Sequence, residues 1–172
     1  MPSARWAKPT LPGALVTLRP MVAGDADAMW EAVNDPEGND LTQTTTTFAY
    51  EDIVRWCGTR AEQDERLDLA IVENATGEVA GEAVLNEYDA ARESANFRIA
   101  LRGAAWYGRG LGTEATTLIV RHGLDTVGLA RITLTVLARN PRAVRAYEKA
   151  GFEVIGTEEE DGENWVVMAV SR

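Results

Sequence analysis

The spacing of apolar and polar side chains along the chain predicts alternating stretches of strand and helix. Apolar residues at every second position, enriched in β-branched types, are typical of strands, and apolar residues every three to four positions are typical of amphipathic helices. Strands are expected at about 15–19, 69–73, 78–88, 95–101, 131–137, 152–157 and 164–170. Helices are expected at about 25–34, 51–66, 111–126 and 140–150, and the threonine-rich run 39–47 is expected to be a loop.

The order of these elements indicates an α/β (α+β) fold built on a mixed sheet. Strands joined by short turns pair antiparallel, whereas the long helical connection near 101–131 predicts one crossover. We therefore expect a mostly antiparallel central sheet of about seven strands, flanked by about four helices. Residues 1–13 carry three prolines and a glycine and are expected to form a flexible N-terminal arm, followed by a single domain over 14–172.

The composition of the 172-residue chain excludes several classes of active site. Cys57 is the only cysteine and His122 the only histidine, so a disulfide framework, a cysteine or histidine metal cluster and a Ser-His-Asp triad are not expected. Both side chains are expected to be packed. No apolar run approaches the ~18 residues of a membrane helix, and residues 1–13 lack the apolar core of a signal peptide. We expect no metal, no membrane partner and a cytoplasmic location.

The charge is acidic overall but unevenly distributed. The formal net charge is −10, which disfavours nucleic acid as a partner because phosphate binding needs a basic surface. Residues 99–149 nevertheless hold eight basic and three acidic side chains, a net +5, so the rest of the chain carries −15. A basic segment within an acidic protein indicates an anionic ligand at one place. The alternative is chance clustering of basic residues on solvated helix faces.

A glycine-rich turn, W-Y-G-R-G-L-G-T-E-A over 106–115, stands between an expected strand and an expected helix. Gly108, Gly110 and Gly112 tolerate positive φ and allow a ligand close to the backbone. The free N–H groups of the first helical turn, together with the helix dipole, favour an anion such as a diphosphate. The spacing matches neither a P-loop nor the dinucleotide fingerprint G-x-G-x-x-G. The alternative is a tight helix-entry turn with no ligand.

A second segment, N-P-R-A-V-R-A-Y-E-K-A-G-F over 140–152, predicts a helix with well-defined ends. Asn140 suits the N-cap, Pro141 the first turn and Gly151 the left-handed position after the helix. At helical spacing Asn140 and Tyr147 lie near one face. The Tyr147 hydroxyl, with an ordinary pKa of ~10, can donate a proton to a departing thiolate. The alternative is a core aromatic residue with a satisfied hydroxyl.

Taken together, the glycine turn, the strand T-L-T-V-L and the pattern N-x-x-A-x-x-x-Y-x-K-x-G-F resemble the GNAT superfamily of acetyl-CoA-dependent N-acetyltransferases. The resemblance extends from Leu15 to Val170, nearly the whole chain. The opening V-T-L-R-P, and G-T-E-A inside the glycine turn, are most similar to the branch that acetylates ribosomal-protein N-termini, such as those beginning with alanine. The resemblance implies a GNAT-like arrangement of the sheet, acetyl-CoA as cosubstrate and no metal.

The resemblance also implies where acetyl-CoA binds. The residues implied to contact it are Ile99, Ala100, Leu101, Tyr107, Gly108, Arg109, Gly110, Leu111, Gly112, Thr113 and Asn140. The family's pyrophosphate loop, [QR]-x-x-G-x-[GA], corresponds to 107–112, where Tyr107 replaces Gln or Arg and Arg109 could add charge. Backbone amides of this loop would hold the diphosphate, and the main chain of 99–101 would pair with the pantetheine arm and polarise the thioester oxygen. Asn140 would contact the pantetheine, and Tyr147 would be the general acid beside the sulfur.

The implied reaction is direct attack of an amine on the thioester within a ternary complex. The family often carries a glutamate as A-E-x-G on its fourth strand, where this chain has Asn96 and Arg98. Glu82, on the preceding expected strand, is the replacement candidate for the base, acting directly or through water. The alternative is a solvated strand glutamate. An α-amine with a pKa of ~7.7–8.0 releases its proton more readily than a lysine at ~10.4, so an N-terminal substrate makes a strong base optional.

The leading functional hypothesis is therefore acetylation of a protein or peptide N-terminal α-amine by acetyl-CoA. The acidic remainder of the chain also fits small cationic acceptors, such as polyamines, aminoglycosides or amino-acid derivatives. A noncatalytic acyl-CoA-binding domain and a different phosphate-ligand enzyme with a Rossmann-like sheet are the rival classes. The resemblance also allows a homodimer.

Overall fold

The computed structural model describes residues 3–172, which form one eight-stranded sheet with five α-helices. The strands are β1 (Leu11–Pro12), β2 (Val16–Pro20), β3 (Leu67–Glu73), β4 (Val79–Asp89), β5 (Ser94–Leu101), β6 (Arg131–Leu137), β7 (Glu153–Glu160) and β8 (Glu163–Ser171). The helices are α1 (Ala26–Val33), α2 (Pro36–Thr42), α3 (Tyr50–Thr59), α4 (Leu111–His122) and α5 (Pro141–Lys149). The sheet order is β1-β2-β3-β4-β5-β6-β8-β7.

The prediction of a mixed, mostly antiparallel α/β sheet is confirmed. Across the described residues every neighbouring pair of strands is antiparallel except β5 and β6, which are parallel and connected through α4. The strand β6 has the predicted bounds, because its β-branched residues alternate cleanly between core and surface. α4 is shorter than predicted, since the chain continues after His122 as a π-helical turn over Gly123–Val127.

One strand and one helix were not predicted from the sequence. The strand is the two-residue β1, which pairs with β2 at the edge of the sheet. The helix is α2, which occupies part of the segment predicted as a loop. Asp35 caps it by accepting a hydrogen bond from the Gly38 N–H at 2.9 Å, and Pro36 stands at its first position.

The N-terminal segment is packed rather than flexible over the residues that the structure describes. Trp6 is only 1% exposed and makes an edge-to-face contact with Tyr88, with 5.3 Å between the ring centroids. The Lys8 ammonium donates to the carbonyl oxygens of Gln63 and Arg66. The expectation of a loose arm over 1–13 is therefore wrong for residues 3–13, because a buried tryptophan outweighs the local preference of the prolines.

The two faces of the sheet carry separate hydrophobic cores. The larger core packs α4 against strands β2 to β6 and contains Leu85, Phe97 and Ile119. The smaller core packs α1 and α3 on the opposite face and contains Met29 and Cys57. Both faces of the central strands are thus covered, and the side chains of β4 and β5 alternate between the two layers.

The sheet opens between β5 and β6. These strands pair only over Ser94–Asn96 and Arg131–Thr133, at their first residues. Beyond that point the segments 97–101 and 134–137 diverge, although each still pairs with its other neighbour, β4 or β8. One edge of the segment 97–101 therefore faces the gap, and along this edge the main chain pairs with no other strand of the described residues.

Candidate functional site

A cavity of about 1050 Å³ lies in the gap between β5 and β6. Its walls come from both strands, from the N-terminus of α4, from α5 and from the three helices α1 to α3. Twelve of the predicted site residues line it: Glu82, Ile99, Ala100, Leu101, Tyr107, Gly108, Gly110, Leu111, Gly112, Thr113, Asn140 and Tyr147. The fold thus brings together residues that are far apart in the sequence, as the prediction required.

The glycine turn presents a helix N-terminus to this cavity. Gly108 and Gly110 have φ of 70° and 80°, in the left-handed region that favours glycine. Gly110 is the N-cap of α4 and offers no side chain to the free N–H groups of the first turn. Because these donors and the positive end of the helix dipole face the cavity, the turn is suited to bind a diphosphate.

Arg109 does not add charge to the cavity, contrary to the prediction. Its guanidinium forms an ion pair with the buried carboxylate of Glu73 and lies 5.3 Å from the ring centroid of Trp106. Arg109 is absent from the cavity wall, and a carboxylate already neutralises its charge. The sequence could not show this pairing, because Glu73 is 36 residues earlier in the chain.

Three of the four basic side chains in the cavity wall come instead from α5, and the fourth is Arg98 on β5. Arg142, Arg145 and Lys149 recur along one side of this helix and line the wall. All three belong to the basic segment 99–149, but the sequence alone did not separate them from the other five basic residues there. They line the same cavity as the uncapped N-terminus of α4, and together these groups make this half of the cavity the one suited to an anionic ligand.

Tyr107 connects the glycine turn to α2. Its hydroxyl donates a 2.6 Å hydrogen bond to the carboxylate of Asp35, the residue that caps α2. Burial and this carboxylate raise the pKa of Tyr107 well above its ordinary value, so the hydroxyl stays a donor. The guanidinium of Arg142 lies 4.6 Å from the Tyr107 ring centroid. Tyr107, which stands where the family has Gln or Arg, therefore acts as a tether in this structure.

Two ion pairs also tie α2 to the cavity wall formed by α5 and the residue before it. Arg139, just before α5, forms bonds of 2.8 and 3.1 Å with the two carboxylate oxygens of Asp40. Arg142 lies 3.6 Å from Glu37. The short helix α2, which has no buried side chain, is thus held by residues from both sides of the gap rather than by a hydrophobic core.

Tyr147 lies at the cavity wall among other aromatic rings. Its ring centroid is 6.0 Å from that of Phe97 and 6.1 Å from that of Phe152, both in edge-to-face orientation. Burial raises the pKa of Tyr147 to about 12, so the hydroxyl is protonated throughout the physiological range. Asn140 caps α5 by accepting from the Ala143 N–H at 3.4 Å, as its predicted capping role requires.

Glu82 is the buried carboxylate of the site. Its side chain lies in the cavity wall, only 6% of the residue is exposed, and one carboxylate oxygen is 3.1 Å from the Arg98 guanidinium. The other oxygen, Oε2, is buried and has no hydrogen-bond partner among residues 3–172. Burial raises the pKa of Glu82 above its ordinary value, and the Arg98 charge opposes this shift. The alternative of a solvated strand glutamate is therefore wrong.

A second half of the cavity, formed by α1, α2, α3 and β8, was not identified from the sequence. Its wall includes the aromatic side chains of Phe48, Trp56 and Trp165 and the carboxylate of Asp52. Side chains alternate between the two faces along a strand, and Ala83, the residue after Glu82, lies in the larger core beneath α4. Glu82 therefore lies on the other face of the sheet, with α1 and α3. Aromatic rings and carboxylates suit an organic cation, in contrast to the basic α5 half.

The remaining reactive side chains are packed, as expected. Cys57 is fully buried in the smaller core, and burial raises its pKa to about 12, so the thiol is neutral. His122 is half-buried on α4, and burial lowers its pKa. Neither residue is in the cavity wall.

In residues 3–172 no group of three or more His, Cys, Asp or Glu side chains is arranged to hold a metal ion. Among the helices of those residues, none has the length and apolar character needed to cross a membrane.

Comparisons with known proteins agree with this geometry. The family model described as "Acetyltransferase (GNAT) domain" matches residues 16–153. Spermidine N(1)-acetyltransferase from Escherichia coli (strain K12) is 33% identical over 95 residues, which cover 55% of this chain and 49% of that protein. The matched part of the chain therefore spans about half the length of that relative. Uncharacterized N-acetyltransferase p20 from Bacillus licheniformis is 24% identical over 144 residues, covering 82% of this chain and 80% of that protein.

A solved structure with the same fold extends over nearly the whole chain. It is the crystal structure of spermidine N-acetyltransferase from Vibrio cholerae in complex with CoA and spermine, with a TM-score of 0.83. The alignment covers 92% of this chain and 96% of that chain at 18% sequence identity. At this level of identity the likeness concerns the fold alone.

Proposed function

This chain belongs to the GNAT acetyltransferase family, and we propose that it transfers the acetyl group of acetyl-CoA to a primary amine of a small cationic molecule. The observation that carries the proposal is the divided cavity in the gap between β5 and β6. One half combines an uncapped helix N-terminus with the basic side chains of α5, and the other combines aromatic rings with buried Glu82. An anionic acyl donor and a cationic acceptor would thus meet at the opening of the sheet.

The residues present fit acetyl-CoA. The amides of Leu111, Gly112 and Thr113 are suited to the diphosphate, with Arg145 and Lys149 close by for further phosphate charge. The main-chain edge of 97–101 can pair with the amide groups of the pantetheine arm. When bound, acetyl-CoA supplies an activated thioester carbonyl. A backbone N–H on β5 would stabilise the charge that develops on its oxygen.

Two side chains are placed to move protons in opposite directions. Oε2 of Glu82 is the free acceptor for the ammonium proton of the incoming amine, directly or through a water molecule. A carboxyl whose pKa is raised by burial is a stronger base than an ordinary one, which an amine with a pKa near ~10.4 requires. The protonated Tyr147 hydroxyl can donate to the departing sulfur.

A small cationic amine is favoured over a protein N-terminus as the acceptor. The acceptor half of the cavity is bounded by α2, which is tied across the gap, and a small amine needs less room beside this tethered helix than a polypeptide does. The rings of Phe48 and Trp56 provide contacts for an organic cation. The Escherichia coli relative is named for spermidine, and the Vibrio cholerae structure contains CoA and spermine, which supports a polyamine-like substrate for this chain. The hypothesis of ribosomal-protein N-termini has less support.

Binding and turnover test this proposal separately. We expect calorimetric titration to detect acetyl-CoA binding, with NAD and ATP giving no heat of binding. We then expect CoA thiol release with polyamines and aminoglycosides at rates well above the hydrolysis background.

Gly110→Ala, which places a Cβ at positive φ and 3.3 Å from Leu15, should weaken acetyl-CoA binding. Gly162→Ala, at the same φ of 80° in the β7–β8 turn, is the matched control for backbone strain. Acetyl-CoA binding without amine-dependent thiol release would instead support the noncatalytic acyl-CoA-binding alternative.

A further inference from the structure

We infer that Arg98 is a positioning residue for the proposed reaction: its guanidinium holds one oxygen of the Glu82 carboxylate, which leaves the other oxygen to take the proton of the acceptor amine. The inference rests on the proposed function, because it assigns a role within the same site. Arg98 is on β5, the strand in which this chain has Asn96 and Arg98 in place of the family's A-E-x-G. It supplies the counter-charge of a base that comes from the neighbouring strand.

The register of the sheet brings these two side chains together. Glu82 on β4 is directly opposite Ala100 on β5, and Arg98 is two residues before Ala100 on the same face. Diagonal neighbours of this kind lie within reach of long side chains. The observed distance between Nη1 of Arg98 and Oε1 of Glu82 is 3.1 Å. Both residues line the cavity, so the pair faces the site of the reaction.

The pair is asymmetric in burial. The Arg98 side chain is 44% exposed, whereas that of Glu82 is 8% exposed. The Arg98 side chain therefore keeps a substantial part of its contact with solvent, and the carboxylate bears most of the cost of burial. Oε2 of Glu82, buried and without a partner among the described residues, is the acceptor that the arrangement leaves open. Such an oxygen is costly in the resting protein unless a ligand or water uses it.

The other charged or titratable groups around Glu82 do not replace Arg98. Asp68 on β3 raises the pKa of Glu82, but it is paired with Arg66 through two bonds of 2.7 and 2.8 Å, and Arg66 has the opposite, smaller effect on Glu82. Cys57 on α3 is a neutral thiol, and Arg60, after the same helix, acts on Glu82 only over a longer range. Within residues 3–172, Arg98 is thus the cation in direct contact with the carboxylate.

Removal of Arg98 should therefore raise the pKa of Glu82 further, so that a larger fraction of its carboxyl is protonated at any given pH. Burial favours the neutral carboxyl, and the adjacent guanidinium is the main influence that favours the charged form. A protonated carboxyl cannot accept a proton from the amine. The expected consequence is a loss of kcat/KM that is largest at low pH and recovers as the pH rises.

The test compares Arg98→Met and Arg98→Lys with the wild-type protein. We expect Arg98→Met to move the acidic limb of the kcat/KM profile upward by about one pH unit or more, and Arg98→Lys to restore most of the shift. Arg92→Met, which removes an 83% exposed arginine in the β4–β5 turn, is the control and should leave the profile unchanged.

A second measurement does not depend on activity. The titration of the Glu82 side-chain carboxyl is followed by ¹³C NMR in the substrate-free protein, with the resonance assigned by its loss in Glu82→Gln. We expect its midpoint to move upward in Arg98→Met and to return toward the wild-type value in Arg98→Lys. An unchanged midpoint in Arg98→Met would overturn the inference. A shifted midpoint in a protein that acetylates no amine would reject the proposed function and leave the contact between Arg98 and Glu82 as described.

Discussion

Two ionisable side chains in the cavity differ in their chemistry but share the effect of burial. Burial raises the pKa of Tyr147 to about 12 and the pKa of Glu82 above its ordinary value. For the phenol, the shift ensures that a proton is present to be donated. For the carboxyl, the shift increases basicity toward an amine, while Arg98 keeps the charged form accessible. The two environments thus suit a proton donor on one side of the thioester and a proton acceptor on the other.

Substitution of Tyr147 by Phe should lower kcat without affecting the fold. The ring contacts with Phe97 and Phe152 are kept, so the melting temperature should stay close to that of the wild type. Loss of the proton donor should reduce kcat by about 10²–10⁴-fold, with little change in the Kd for acetyl-CoA. Tyr88→Phe, which removes a hydroxyl from a half-buried ring outside the cavity, is the control. Unchanged kcat in Tyr147→Phe would remove this residue from the mechanism.

Glu82→Gln should abolish most activity and yet stabilise the protein at neutral pH. Because the pKa of Glu82 is raised in the folded state, that state binds the proton more tightly than the unfolded chain does. This contribution favours folding below the unfolded pKa near ~4.3 and is lost as the pH rises through the folded pKa. The variant should therefore gain about 1 kcal/mol, or roughly 2–4 °C in melting temperature, at pH 8, and less at pH 5.

The matched control for this comparison is Glu78→Gln, at an exposed position just before β4. Its carboxylate lies in water in both states, so its melting temperature should differ little from that of the wild type at either pH. A Glu82→Gln variant that is less stable than the wild type at pH 8 would show that the charged carboxylate supports the fold.

At the scale of the elements, the close approach of β4 and β5 depends on a glycine. A Cβ at Gly81 would collide with the carbonyl oxygen of Ala100 and come within 2.8 Å of the Cα of Leu101. These are backbone atoms of the segment proposed to pair with the pantetheine arm, so they cannot move without changing the edge that faces the gap. Gly81 thus fixes the position of β5 relative to Glu82 as well as the packing of the sheet.

Gly81→Ala should therefore affect both stability and ligand binding. Displacement of β5 is expected to cost about 1–3 kcal/mol of folding free energy, measured by denaturant unfolding. The same displacement should raise the Kd for acetyl-CoA in calorimetric titration. Gly156→Ala, in β7, is the control, because its Cβ would meet no atom within 4 Å. Equal effects of the two substitutions would contradict the assigned role of Gly81.

The strands and helices that could be predicted are those whose pattern of residues lies within their own short segment of the sequence. The alternation in 131–137 predicted β6, and Asn140 with Gly151 marked both ends of α5. The helix α2 was missed because none of its side chains is buried, so it leaves no hydrophobic period, and only Asp35-Pro36 indicated its start. The opening between β5 and β6 could not be predicted. It depends on where the hydrogen bonding between these two strands ends, and the strands are far apart in the chain. Arg109 was misassigned for the same reason, since its partner Glu73 lies outside the motif.

At the scale of the whole molecule, the charges are separated in the way the proposed reaction requires. The basic segment 99–149 carries +5 and the rest of the chain −15. The basic residues that matter for the cavity are those on α5, while acidic residues are concentrated elsewhere, including the exposed strand β7 and the turn after it. An acidic protein with a basic cavity half attracts an anionic donor locally and cationic acceptors generally.

Acetyl-CoA binding should consequently weaken with ionic strength and depend on α5. Arg145→Gln combined with Lys149→Gln should raise the Kd about threefold to tenfold at low salt, since exposed charge contacts contribute ~0.2–1 kcal/mol each. The difference from the wild type should shrink in high salt, where such contacts are screened. Arg121→Gln, an exposed arginine on α4 outside the cavity wall, should leave the Kd unchanged. Equal Kd values for the double variant and the wild type at low salt would place the anion elsewhere.

The most direct test of the account is a competition for acetyl groups in a single reaction. Wild-type protein and Glu82→Gln are incubated with limiting acetyl-CoA and an equimolar mixture of spermidine and a peptide with a free N-terminus, and the products are identified by mass spectrometry. We predict that the wild type acetylates spermidine in strong preference to the peptide and that Glu82→Gln acetylates neither above background. Acetylation of the peptide alone, or equal activity of the two proteins, would contradict the proposed acceptor or the proposed base.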